Sequence, residues 1–109
     1  MRVKQGVDLT GMHPMMTFAF GALMAIHIDE GYEATVTSGR EGKHSPTSSH
    51  YAGNAIDIRT HDLPPTLPLE LFAADIENRL PVGFQVIIEG EGTSTEHVHV
   101  QYRPVLGNI

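Results

Sequence analysis

The chain has 109 residues, 40% of them hydrophobic, which suits one compact domain that buries roughly two-thirds of its unfolded surface. It contains no cysteine, and this excludes disulfides, thiolate zinc sites and a cysteine nucleophile. Thirteen acidic side chains against seven Lys and Arg give a formal charge of −6, which argues against nucleic acid as a partner.

The first element is an apolar run, Met15 to Ile26, that follows the basic residues Arg2 and Lys4. It loosely mimics a secretory signal, but no small-residue cleavage site follows it, and it is too short to span a bilayer. Its apolar residues repeat at three- and four-residue steps, Pro14 suits a first turn, and Gly31 suits an end, so we predict a core helix. We therefore expect a protein made in the cytoplasm without a signal peptide and without membrane insertion.

The rest of the chain predicts four strands and a second helix. The strands, which are short and rich in β-branched residues, are Ala34–Ser38, Ala55–Arg59, Phe84–Ile88 and His97–Tyr102. The helix, Pro68–Leu80, has a predicted buried stripe of Leu71, Phe72, Ile76 and Leu80. The order α-β-β-α-β-β with short links favours a single α+β domain, residues 1–109. It would have a small, mainly antiparallel four-stranded sheet with both helices on one face.

Histidine is the unusual residue, with seven copies that are clustered along the chain. Without cysteine, imidazole plus carboxylate is the remaining route to a tight transition-metal site. Strand alternation directs His97 and His99 to the face opposite Val98 and Val100. The same alternation separates Asp57 from its apolar neighbours. If the aliphatic side chains pack under the helices, the imidazoles and the carboxylate emerge together on the open face.

A third histidine, His50, stands seven residues before Asp57, and Gly53 between them would let the chain turn back so that the two converge. Two histidines and one aspartate around a metal leave a fourth position open, which is the arrangement of a catalytic zinc. The candidate ligands are therefore Asp57 and two of the three histidines His50, His97 and His99.

Two stretches resemble a known family. Residues 48–58, read as SSHYAGNAIDI, resemble the Ser-x-His-x-x-Gly-x-Ala-x-Asp signature of D-alanyl-D-alanine carboxypeptidases and dipeptidases. These are zinc peptidases of bacterial cell walls, and phage endolysins belong with them; the zinc-bearing signalling domain of Hedgehog proteins, which shares the fold, is also similar. Residues 96–99, EHVH, match the family's Glu-x-x-His and His-x-His element, and residues 37–40, TSGR, resemble its Ser-Gly-Tyr-Arg segment without the tyrosine.

The resemblance implies a Zn²⁺ cofactor held by His50, Asp57 and His99. It further implies Glu96 as the general base for the attacking water and Arg40 as a donor to the oxyanion. The remaining motif positions are Ser48, which would help to hold the substrate, and His44 and His97, which would contact the substrate or take part in catalysis. Strict strand alternation places Glu96 on the Val98 face, so we expect the turn at residues 90–95 to swing it towards the metal.

The function implied by the resemblance is hydrolysis of peptide bonds in peptidoglycan stem peptides, as a D-Ala-D-Ala carboxypeptidase or a phage-type endopeptidase. A phage-derived enzyme would reach the cell wall after release by lysis. Two alternatives remain: a non-catalytic, zinc-stabilised binding module and a virion-associated structural part. The presence of both Glu96 and Arg40 favours the enzyme.

Overall fold

The computed structural model describes residues 1–41 and 53–103. Its elements in chain order are β1 (Arg2–Val3), α1 (Met16–Glu30), β2 (Thr35–Ser38), β3 (Ala55–Arg59), α2 (Leu69–Asn78), β4 (Phe84–Glu89) and β5 (His97–Tyr102). The prediction of a small α+β protein is confirmed, and both helices and four of the strands lie close to their predicted positions.

The sheet itself differs from the prediction. It has five strands in the order β1-β2-β3-β5-β4, and it is mixed because β1 pairs with β2 in parallel while the other pairs are antiparallel. The prediction of four mainly antiparallel strands is therefore wrong in the number of strands and in the pairing at this edge. The added strand is only two residues long, so it carries no alternation that a sequence pattern could reveal. Backbone bonds of 2.9 Å, from Arg2 N to the Ala34 oxygen and from Lys4 N to the Val36 oxygen, fix it in place.

The core lies between one face of the sheet and the two helices. The largest fully buried side chains from the sheet are Val36, Ile56, Ile58, Val98 and Val100, and those from the helices are Met16, Leu23, Ile26, Phe72 and Ile76. Burying one such aliphatic or aromatic side chain contributes roughly 1.5–3 kcal/mol relative to leaving it in water. This apolar face fixes which way every β3 and β5 side chain points, and so directs the alternate residues outward.

Both helices bury one side and leave apolar residues on the other. In α2, Phe72 and Ile76 are buried at a four-residue spacing, while Leu71 is 61% exposed, so its predicted burial is wrong. One residue along a helix is a rotation of about 100°, which carries Leu71 away from the core when Phe72 faces it. In α1, Phe18 and Ile28 are exposed. Within the described residues no helix has both the length and the apolarity needed to cross a membrane.

Candidate metal centre

Strand register brings four metal-ligating side chains together on the open face of the sheet. Asp57 of the central strand β3 lies opposite His99 of β5, which lies between β3 and the edge strand β4. His97, two residues earlier on the same strand, lies opposite Glu89 at the end of β4. The side chains on this face are thus set by the same alternation that buries the valines between them. We refer to Asp57, Glu89, His97 and His99 as the metal cluster.

The ligand atoms of the metal cluster all lie within 4.8 Å of one another. His99 Nδ1 is 2.8 Å from Asp57 Oδ1, and His97 Nε2 is 2.9 Å from Glu89 Oε1. The crossed distances are also short: His97 Nε2 to Asp57 Oδ1 and His99 Nδ1 to Glu89 Oε1 are each 3.7 Å. The two imidazoles and two carboxylates therefore surround one point rather than forming separate pairs.

The members of the metal cluster differ in exposure, and the most exposed of them lies on the edge strand β4. The side chains of His99 and Asp57 are 11% and 18% exposed, whereas that of Glu89 is 46% exposed. A ligand at this point would consequently have a protein floor and an open side toward solvent. Such an arrangement suits a site that must exchange a ligand rather than one that is sealed.

A chain of amides supports the most buried imidazole. His99 Nε2 lies 2.8 Å from Oε1 of the buried Gln101, whose Nε2 in turn donates a 2.8 Å hydrogen bond to Oε1 of Gln85. The two nitrogens of the His99 ring are thus held by a carboxylate on one side and an amide on the other, which fixes the plane of the ring. Partners of this kind orient imidazole ligands in metal proteins.

The carboxylates also change the protonation of the imidazoles. Burial lowers the pKa of His99, but its hydrogen bonds with Asp57 and Gln101 and the nearby negative charges raise it more, so the pKa lies above the ordinary value. For His97, burial again acts downward, and the Thr95 carbonyl, Asp57 and Glu89 outweigh it. The metal cluster therefore attracts positive charge, whether protons or a cation, to one point.

The donor set fits a divalent transition metal. Imidazole nitrogen and carboxylate oxygen are both ligands of zinc and its neighbours in the first row, and four of them are within reach of one ion here. A group of Asp, Glu and two His that could hold a metal ion is thus a property of this fold. Of the predicted ligands, Asp57 and His99 belong to it, and His97, predicted as a catalytic neighbour, belongs to it as well.

Glu96 occupies a different position. The strand begins at His97 as expected, but the Glu96 carboxylate accepts a 2.6 Å hydrogen bond from Thr60 Oγ1 and a 2.8 Å bond from the Gly92 amide. These bonds, the Gly92 N–H first and the Thr60 hydroxyl second, lower its pKa and keep it ionised. The expected swing of Glu96 into the metal cluster is absent from the described residues, although Glu96 lines the same open pocket as Asp57 and His97. Its role as a base stays a prediction.

Arg40 is held against the N-terminal segment. Its backbone N–H donates to the Asp8 carbonyl at 2.8 Å, and its Nη1 donates to the Thr10 carbonyl at 3.1 Å. The guanidinium lies against Gly11, where an added Cβ would collide with Nη1, and φ at that glycine is +65°. Within the described part of the chain its buried Nε has no hydrogen-bond partner. The proposed donation to an oxyanion stays a prediction.

Three predicted residues lie outside the described residues: His44, Ser48 and His50. Gly53, at the boundary, has φ of +75°, the left-handed conformation expected of a glycine that lets the chain turn back. A Cβ there would come within 2.8 Å of the Gly11 carbonyl oxygen, so the backbone approach also requires glycine.

The alternation signal did not predict Glu89 or the two glutamines as parts of the site. Gln85, Ile87 and Glu89 share one face of β4, and the period of two in the sequence FQVIIE contains that information. What the sequence lacks is the pairing of β4 with β5, which places that face beside His97 and His99.

Comparisons with protein-family models, with curated proteins and with solved structures found no match to this chain.

Proposed function

We propose that this protein is a zinc-dependent peptidase that hydrolyses peptide bonds in peptidoglycan stem peptides, as a D-Ala-D-Ala carboxypeptidase or a phage-type endopeptidase. The observation that carries the proposal is the meeting of Asp57, His97 and His99 at one point on the solvent side of the sheet. The motifs to which these residues belong have the order and spacing of a zinc peptidase family. A buried structural role would instead require the imidazoles to lie under the helices.

The ligands in this proposal are Asp57 and His99, with His50 as the third according to the resemblance. A zinc ion held by these residues would supply Lewis-acid chemistry for the scissile carbonyl and would lower the pKa of a water molecule to about 7. Within the protein, Gln101 fixes the ring of His99, and Glu89 and His97 supply a second imidazole–carboxylate pair beside the first.

A general base must accept a proton from the attacking water, and two carboxylates compete for this role. Glu96 holds the position that the resemblance assigns to the base. Its lowered pKa keeps it in the carboxylate form that can accept a proton, but also makes it a weaker base than an ordinary glutamate. Glu89 belongs to the metal cluster itself and is the more exposed of its two carboxylates. We assign the role to Glu96 and treat Glu89 as its competitor in the experiment below.

A second candidate function is supported by one observation. The carboxylate of Glu96 and the guanidinium of Arg40 both hydrogen-bond to groups other than the metal cluster. A metal-stabilised binding module would need the metal ligands but neither of these residues. The peptidase would cleave the peptide that it binds, whereas the binding module would bind its ligand without cleaving it.

The test is incubation of zinc-loaded protein with purified peptidoglycan, with and without a chelator, followed by mass spectrometry of the soluble products. The peptidase predicts peptide fragments that disappear with the chelator. Glu96→Ala should keep its zinc and lose turnover, whereas His99→Ala should lose both. His27→Ala, which removes an exposed imidazole on α1, is the matched control and should change neither. Full zinc occupancy without released fragments would favour the binding module.

If Glu96→Ala keeps its full rate and Glu89→Gln loses it with zinc still bound, the base is Glu89. That outcome would preserve the proposed peptidase and correct the assignment that the resemblance implies.

A further inference from the structure

An open pocket of about 260 Å³ adjoins the metal cluster on the same face of the sheet. It extends from the cluster across β3 and β2 toward β1. Its wall includes Asp57 and His97, so anything seated in the pocket contacts the candidate metal site directly. The volume is below the roughly 300–1,000 Å³ of sites that enclose a drug-sized ligand, which suits a short polar segment of a larger substrate.

Two basic side chains line the pocket, beside the carboxylates of Asp57 and Glu96. Lys4 and Arg59 line it, which is two of only seven Lys and Arg in a chain with a formal charge of −6. Arg59 is on β3 two residues after Asp57, so its side chain shares the open face, and its register partner is His97. Lys4 follows β1, the short edge strand that the sequence pattern does not reveal.

The acidic groups around the pocket have other partners. Asp57 is bound to His99, and the Glu96 carboxylate is bound by Thr60 and Gly92. Among the described residues, the carboxylate paired with Arg59 is that of Asp62, whose Oδ2 lies 3.8 Å from Nη1, beyond ordinary hydrogen-bond length. The guanidinium fork of Arg59 consequently keeps donors for a ligand. The other polar lining residues are Thr37, His61, Ser94 and Thr95.

A neighbouring pocket provides an internal contrast. It lies on the other side of Glu96, has a volume of about 350 Å³, and is lined by Leu63, Pro64 and Leu67 together with acidic residues and no lysine or arginine. Of these two pockets, only the one beside the metal cluster is lined by lysine and arginine.

We infer that the pocket lined by Lys4 and Arg59 binds a carboxylate of the substrate and so positions the peptide bond at the metal cluster. An arginine fork matches the two oxygens of a carboxylate, and an ammonium adds a point charge. The inference rests on the proposed peptidase for its role in positioning, but the binding of a carboxylate can be measured without turnover. Stem peptides offer two such groups, the C-terminal carboxylate and a side-chain carboxylate within the stem.

The binding experiment uses the zinc-loaded Glu96→Ala protein, which is expected to keep its metal without turnover. It is titrated with N-acetyl-D-alanyl-D-alanine and with the C-terminal amide of that peptide, followed by NMR shifts of the Arg59 Nε–H signal. We expect the acid to bind at least about tenfold more tightly than the amide. Arg59→Gln should abolish this preference, and Lys4→Gln should reduce it about threefold. Arg2→Gln makes the same charge change on the edge strand β1, at a residue that is paired with Glu33 and does not line the pocket; it is the matched control and should leave the preference intact.

The kinetic experiment uses the same pair of peptides and a third stem peptide whose internal glutamate carboxylate is amidated. Arg59→Gln should raise KM for the acid about tenfold with kcat nearly unchanged, because a contact made equally in the ground and transition states affects KM alone. If amidating the C-terminus raises KM, the pocket binds the terminal carboxylate. If amidating the internal glutamate raises KM, the pocket binds that side-chain carboxylate.

Equal binding of the acids and amides, or a preference unchanged in Arg59→Gln, would overturn the inference while leaving the peptidase intact. Zinc-loaded protein that prefers the acid but cleaves none of the peptides would overturn the proposed function and support the carboxylate site.

Discussion

Strands β3 and β5 present one row of side chains to the helices and the alternate row to solvent, and the two rows have opposite chemistry. Toward the helices, Ile56, Ile58 and Val98 are fully buried. Toward solvent, Asp57 and His99 hydrogen-bond to each other, and the set is completed by residues from both flanking strands. Burial of the apolar row stabilises one register of the strands. That register brings the side chains of the polar row together at one point. Substitutions on the two faces should therefore have separable effects.

The largest effect on stability is expected on the helix face. Ile56→Ala should lower the free energy of unfolding by about 2–5 kcal/mol, because it leaves a cavity in a fully packed core. Urea denaturation followed by circular dichroism measures this change. Ile28→Ala, at a position that is 82% exposed, is the matched control and should change the value by less than about 0.5 kcal/mol. Equal costs at the two positions would contradict the assignment of the core.

On the open face, the support of His99 should matter for metal binding more than for folding. Gln101→Leu removes the amide that holds Nε2 of the ring and should weaken zinc binding about 10- to 100-fold. Gln85→Leu, one step further along the amide chain, should have a smaller effect. Competition with a chromophoric chelator measures both affinities. If Gln85→Leu proves the more damaging, the order of the amide chain is wrong.

The sequence predicted the site residues on β3 and β5 better than it predicted the one on β4. Alternation within β3 and β5 was enough to place Asp57, His97 and His99 on one face opposite the aliphatic residues, because parity is a local property. The place of Glu89 depends on β4 pairing with β5, a contact between segments separated by a turn, and no local pattern specifies which edge of the sheet a strand joins. The brevity of β1 hid both the fifth strand and the position of Lys4.

Glu89 lies at the exposed edge of the metal cluster, so its contribution to metal binding should be smaller than that of the less exposed ligands. Glu89→Gln should weaken zinc binding by about tenfold or less, since a carboxylate that is 46% exposed is screened by water. Glu91→Gln, on the adjoining turn and outside the metal cluster, is the control with the same charge change. Isothermal titration calorimetry of both variants measures the difference. A loss as large as that of a buried ligand would show that Glu89 is a principal ligand.

The smallest effect is expected at Glu41, which belongs to neither face. Burial raises the pKa of Glu41, but hydrogen bonds lower it by more, so the folded pKa lies below the ordinary 4.5. Among these bonds, the N–H groups of Asp8 and Gly39 each donate to Oε1 of Glu41 at 2.8 Å. A depressed carboxyl pKa stabilises the fold above pH 4.5, and this contribution is lost as the pH falls through the folded pKa. Glu41→Gln should therefore cost about 1 kcal/mol at pH 7 and less near pH 3. Urea denaturation at the two pH values tests this, and a cost that grows at low pH would contradict it.

One divalent ion should bind where Asp57, His97 and His99 meet. A crystal structure of the zinc-loaded protein, with anomalous data at the zinc absorption edge, tests this. We expect a single strong peak within bonding distance of the Asp57 carboxylate and the His99 imidazole. A peak at other side chains, or zinc-saturated crystals with no peak on this face of the sheet, would contradict it.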